Sequence, residues 1–102
     1  EKLDKFLADN PFFTLVTIPA GTYPTLKNDV PSLATPCVLI TQADADEELV
    51  YEITKAIFEN LPDIQKSHAL AKSITLETAV AGASIPFHPG AKKYFVEKGI
   101  LK

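Results

Sequence analysis

The chain has no arginine, no methionine and no tryptophan, and its only cysteine is Cys37. Nucleic-acid recognition draws on a basic surface in which arginine normally has a large share. Here all ten basic residues are lysines, set against thirteen acidic residues for a net charge of −3, so neither a nucleic acid nor an anionic membrane surface is an expected partner. One cysteine can form no internal disulfide and no multi-cysteine metal site. The longest apolar run, Cys37-Val38-Leu39-Ile40, falls far short of the about 18 residues of a membrane-spanning helix. No secretory leader stands at the start, since Lys2, Asp4, Lys5 and Asp9 are mixed among apolar positions instead of preceding an apolar block. The missing methionine raises the expectation that the chain was processed or excised from something longer, with any leader already removed.

What is present is ordinary globular composition. The 102 residues are 46% apolar and 23% charged, enough for one small domain with a thin core. Leu3, Phe6 and Leu7 are spaced for a short amphipathic helix over Lys2 to Ala8, the tail of a longer one, ended by Asn10-Pro11. Phe12 to Ile18 is rich in β-branched and aromatic residues and predicts a strand. A loop from Pro19 to Pro31 follows. Ser32 to Thr41 predicts a second strand, with Pro36 confined to an edge or entry position and Cys37 to Ile40 apolar on both faces, as in a strand inside a sheet.

Asp44 with Glu47 three residues on has the spacing of a capping box. The helix after it is expected to run to about Asn60, with Leu49, Ile53, Ala56 and Ile57 as its buried stripe and Leu61-Pro62 as its stop. A short helical stretch fits Ile64 to Ala71. Thr75 can cap a helix over Leu76 to Ala81, with Gly82 left-handed after it, and Pro89 to Lys98 predicts a last helix closed by Gly99. Two strands and about three to four helices make an α/β chain whose sheet is too small to stand alone. It either belongs to a larger sheet or borrows strands from a second copy.

The catalytic and metal patterns are weak. Asp44, Asp46 and Glu48 begin like a calcium loop, but Leu49 and Lys55 stand where glycine and a bidentate glutamate are needed, so the acidic run is read as a helix start. Cys37 lies in the most apolar strand and is read as core packing, not as the thiol of a Cys-His pair. His68 and His88 have no third ligand nearby, and His88 before Pro89-Gly90 suits a helix start or a packed imidazole. Gly82-Ala83-Ser84-Ile85-Pro86 lacks the closing glycine of a nucleophile elbow. No enzyme, cofactor or metal site is expected.

The stretch Ile18-Pro19-Ala20-Gly21-Thr22-Tyr23-Pro24 follows a predicted strand, where ligand crevices of open α/β sheets are lined. Gly21 lets backbone approach a ligand, and the Thr22 and Tyr23 hydroxyls can donate to a carboxylate or accept from an ammonium. The competing reading is a rigid turn bounded by prolines, with Tyr23 packed over the adjacent strand.

Several strings occur in one order: Ile18 to Pro24, Asp29-Val30-Pro31, Ala43-Asp44 leading into Val50-Tyr51-Glu52-Ile53-Thr54-Lys55-Ala56-Ile57-Phe58-Glu59, then His68, and Ile85-Pro86-Phe87-His88-Pro89-Gly90-Ala91 with Tyr94 and Gly99. Together they resemble the C-terminal portion of TAXI-type solute receptors, the extracytoplasmic binding proteins of TRAP transporters, from Asn10 onward. The resemblance implies part of a two-lobed periplasmic-binding-protein (type II) fold that closes about a hinge on a small solute and presents it to membrane permease subunits. It implies a periplasmic location and a glutamate-like amino acid or organic anion as ligand. Gly21, Thr22 and Tyr23 become the expected ligand-binding residues, and residues 29–41 the hinge-crossing strand. Thr25 departs from the glycine common in such receptors after the Tyr-Pro pair. With no arginine present, any bidentate arginine clamp on a carboxylate has to come from outside these residues. The alternative from another class is a stand-alone interaction module that forms a strand-exchanged homodimer.

Overall fold

A computed structural model describes residues 2–102, which fold as two compact units. One comprises the described residues up to Val38 together with Gly82–Ser84, and the other Leu39–Ala81 with Ile85–Lys102. The α/β class expected from the sequence is found.

The first unit contains helix α1 (Lys2–Asp9) and a β-hairpin of β1 (Thr14–Ile18) and β2 (Val30–Ala34). Asn10 ends α1, its side-chain amide donating to the Phe6 carbonyl at 2.9 Å. Phe6, Phe12 and Phe13 form a chain of tilted rings with centroids 5.3 and 4.9 Å apart. The two strands are antiparallel, in a register running from Thr14 opposite Ala34 to Ile18 opposite Val30. Pro31 lies within β2, which an edge strand tolerates because an outward position needs no N–H. Gly82 is left-handed as expected (φ +70°), and an added Cβ would stand 2.8 Å from Pro36.

The sequence-based strand over Ser32 to Thr41 is corrected here. Pairing begins two residues earlier and stops at Ala34, while Cys37 to Ile40 lie outside any strand and are exposed. Pro36 lacks the N–H needed to continue a ladder. Without a neighbouring strand, an apolar run has nothing to be buried against, and Leu39 and Ile40 are 80% and 71% exposed. Cys37 is therefore no core residue.

The second unit is helical: α2 (Glu47–Glu59), α3 (Leu61–Ser67), a 3-10 helix (Ala69–Ser73) and α4 (Pro89–Glu97). Asp46, not Asp44, caps α2, accepting the Leu49 N–H at 2.8 Å. Leu49 consequently occupies the third helical position, so the expected capping box does not form. Glu47 and Glu48 do occupy the first turn, where the helix dipole favours negative charge. The expected buried stripe is also displaced. Val50 and Thr54 are buried, whereas Leu49, Ile53 and Ala56 are exposed.

Helix α4 causes this displacement by packing on the Val50–Thr54 side of α2. Tyr94 (1% exposed) and Phe95 (5%) form the centre of that contact. Phe58 stacks on Tyr94 with centroids 5.9 Å apart and meets Phe95 edge-on at 5.6 Å, and Phe87 covers Phe95 from the other side at 5.7 Å. Thr54 is tolerated there because its hydroxyl donates to the Val50 carbonyl at 2.7 Å. Close approach depends on Gly90. A Cβ at that position would collide with the Glu47 carbonyl oxygen and stand 2.7 Å from the Tyr51 amide nitrogen.

The ends of α4 follow the sequence reading. At its start, His88 Nδ1 accepts the Gly90 N–H at 3.2 Å. At its end, Gly99 is left-handed (φ +73°), with its N–H donating to Val96 O and that of Ile100 to Phe95 O, both at 2.9 Å, the paired bonds of a Schellman motif. Helix is absent from Leu76 to Ala81, which forms turns instead. Thr75 and Thr78 bond to each other and the Thr78 hydroxyl reaches the Ser73 carbonyl at 2.7 Å, so local side-chain bonds there compete with a helical ladder.

Candidate functional site

The hairpin loop between Ile18 and Val30 carries all three ligand-binding residues expected from the sequence. Two tight turns build it. The Thr22 N–H donates to Pro19 O at 3.2 Å, with Gly21 at φ +83° in the position that requires a left-handed residue. The Leu26 N–H donates to Tyr23 O at 2.9 Å, with Pro24 presetting the second turn. The Gly21 N–H bonds Leu26 O at 2.9 Å and joins the two turns. Asp29, which the sequence reading did not single out as a site residue, closes the base of the loop, its Oδ1 accepting the Ala20 N–H at 2.8 Å.

The loop is thus a rigid, proline-bounded structure that brings Gly21, Thr22 and Tyr23 to one exposed crest. The Thr22 hydroxyl donates to Pro19 O at 2.7 Å, so its hydrogen is used within the loop while its oxygen can still accept. The Tyr23 side chain projects outward from a residue 60% exposed, which does not match packing over a strand. The polar run Lys27-Asn28-Asp29 was the available signal for Asp29, since aspartate often accepts from backbone N–H groups in turns.

Both histidines have structural partners. His88 uses both ring nitrogens: Nδ1 accepts from Gly90 N–H, so Nε2 carries the hydrogen and donates to Ala45 O at 3.1 Å. It links the start of α4 to the segment leading into α2. His68 Nδ1 accepts the Leu70 N–H at 3.1 Å and caps the 3-10 helix. It borders a shallow open depression lined also by Pro62, Gln65, Lys66, Ala69 and Lys72, which includes no residue of the hairpin loop. Among the described residues, no three or more His, Cys, Asp or Glu side chains gather to hold a metal ion. None of the described helices is long and apolar enough to cross a membrane.

Between α2 and α4 lies an electrostatic cluster. The Tyr51 hydroxyl donates to Glu97 at 2.7 Å, and Lys93 pairs with Glu48 at 3.1 Å while its ammonium lies 4.8 Å from the Tyr51 ring centroid. The Glu97 hydrogen bond, then desolvation and neighbouring negative charge, push the Tyr51 hydroxyl up to about 12. The Lys93 ammonium is likewise held above its ordinary range, first by its hydrogen bond to Glu48. These groups fasten two helices together.

The NMT1-like family model matches residues 1–99, and the chain belongs to that family. It is a family of periplasmic solute-binding proteins, typically extracytoplasmic, that bind small molecules and are not enzymes.

Proposed function

We propose that the chain serves in an extracytoplasmic receptor of the TAXI type, which captures a small amino acid or organic anion and delivers it to the permease subunits of a TRAP transporter in the periplasm. The ordered series of strings from Ile18 to Gly99, within a chain of the NMT1-like solute-binding family, carries this reading. Gly21, Thr22 and Tyr23 contact the solute. Residues 29–41 act as the hinge crossing, and solute contacts made only in the closed form shift the population toward it. In support of the hinge, the chain leaves its first compact unit between Val38 and Leu39, inside that segment.

The test is calorimetric titration of the intact protein with a panel of amino acids and dicarboxylates, repeated with Tyr23→Phe. The proposal expects at least one member to bind and the variant to bind it more weakly. Unchanged affinity in the variant removes Tyr23 from the site. Uptake of the bound solute in cells supplied with cognate permease subunits, and its loss without them, tests the transporter assignment.

A second reading, a strand-exchanged homodimer, is favoured by one observation. The sheet of the described residues has only two strands, so β1 and β2 each have an outer edge, and Leu15, Val16 and Val30 are exposed on them. Sedimentation separates the two: this reading requires a dimer at low micromolar concentration, and a monomer excludes it.

A further inference from the structure

The two edges of the hairpin are not equivalent, and Pro31 decides which one is open. Opposed residues of an antiparallel pair alternate between those that exchange both N–H···O bonds and those that exchange none. Pro31, opposite Thr17, has no N–H to exchange. Thr17–Pro31 is therefore a non-bonded pair, as is Leu15–Leu33 two residues away, and the bonds run through Thr14–Ala34, Val16–Ser32 and Ile18–Val30. The backbone left unpaired then points outward at fixed positions. On β2 these are Pro31 and Leu33, so only Leu33 offers an N–H along that edge. On β1 they are Leu15 and Thr17, each with its N–H and its C=O. No further strand of the described residues lies beside β1, and both residues are exposed. Proteins normally guard such an edge with a proline, a lysine or a bulge. Within Thr14–Ile18 β1 has none of these, whereas β2 has its proline.

We propose that the outer edge of β1 docks a second copy of the chain through its own β1, antiparallel about a twofold axis at Val16, so that two hairpins share one continuous sheet. This rests on the homodimer reading above and gives it a defined edge, with the partner's strand added to the sheet and none exchanged. The strand is self-complementary in that register. Leu15 lies opposite the partner's Thr17, and Thr17 opposite the partner's Leu15, so the outward N–H and C=O groups of β1 all find partners. Val16, 37% exposed in the single chain, meets the partner's Val16 as a non-bonded pair, the closer type, with Cα atoms about 4.5 Å apart. Facing β-branched side chains stabilise such a pair. Charge favours a second copy over a charged strand: residues 11–26 carry no charge, so no like charges face each other across the axis and a charged strand finds no counter-ion. A sheet needs three or more strands, or helix cover, for independent stability, and joining two hairpins supplies them.

The experiment is sedimentation equilibrium of the chain, with circular dichroism to check that each variant is folded. Wild type is expected to dimerise at low micromolar concentration. Val16→Lys brings two ammonium groups together at the axis and is expected to weaken the dimer at least about tenfold. Val30→Lys makes the same change at an exposed position of β2 and is expected to leave it unchanged. Disulfide trapping reads the register directly. In a Cys37→Ser background, Val16→Cys is expected to cross-link on oxidation, because a non-bonded pair lies within the Cα separation that a disulfide spans, and Val30→Cys to stay unlinked. Should V16K fail to fold, the V16C cross-link decides. A monomer throughout the micromolar range overturns both the edge assignment and the homodimer reading. A dimer that V16K leaves intact, that V30K weakens instead, or that yields no V16C cross-link overturns the β1 edge while the homodimer reading stands.

Discussion

Tyr51 on α2 donates a 2.7 Å hydrogen bond to Glu97 on α4, forty-six residues away in sequence. This bond joins the second turn of α2 to the last residue of α4. Its partner keeps the phenol protonated in the folded chain up to about 12, well above the ordinary 10.0.

The sign of the resulting pH dependence follows from proton binding. A folded-state value above the unfolded one means that the native chain holds its proton longer, so the contribution is complete below about pH 10 and is lost as pH rises toward about 12. Tyr94, raised mainly by burial, and Lys93, raised by Glu48, change in the same direction. Guanidinium midpoints measured from pH 9 to about 12 are expected to fall steeply for the wild type and less steeply for Tyr51→Phe. Equal slopes would show that the Glu97 bond does not persist in solution.

Gly90→Ala tests the closeness of the two helices. The added methyl meets the Glu47 carbonyl and the Tyr51 amide, both backbone, so neither can rotate away. A cost of about 1–3 kcal/mol or more is expected from urea denaturation. A cost below about 0.5 kcal/mol, the range of an ordinary surface change, would mean that the helices are farther apart.

His88→Ala removes both the cap of α4 and the bond to Ala45 O, with an expected loss of about 1–2 kcal/mol. His88→Asn restores a capping side chain but not the reach to Ala45, and is expected to recover part of that loss. Long-range nitrogen-15 spectra of the wild type should show the hydrogen on Nε2. The opposite tautomer would contradict the arrangement directly.

Leu39 and Phe95 make an opposed pair. Leu39→Ala is expected to change stability by no more than about 0.5 kcal/mol, because the side chain is already in solvent. Phe95→Ala empties the centre of the α2–α4 contact and is expected to cost about 3–5 kcal/mol. Chemical denaturation of the two variants side by side is the check, and comparable losses would place Leu39 in a core.

Several local signals proved legible in this sequence, although the Asp44 capping box and the Leu76 to Ala81 helix did not form; partner-dependent signals were not legible. Gly99 closing α4, Asn10-Pro11 ending α1, and His88 at a helix start each depend on a few adjacent residues, and each is found. The buried face of α2 depends on α4, some forty residues on. Leu49 and Ile53 are apolar at helical spacing, but the aromatic residues of α4 lie against Val50 and Thr54 instead. The same holds for Cys37 to Ile40, where an apolar run implies burial only if something is there to cover it. At the loop, Gly21, Thr22 and Tyr23 could be singled out by residue type. That the Thr22 hydrogen is already used, and that Asp29 anchors Ala20, required the backbone path.

The exposure of Cys37 has a practical consequence. It is the only thiol in the chain, lies in solvent, and stands two residues before the chain passes into its second unit. A maleimide dye would therefore attach at one position, with no cysteine to remove beforehand, inside the segment proposed as the hinge. An emission change on adding solute would report bending there without any engineered label site.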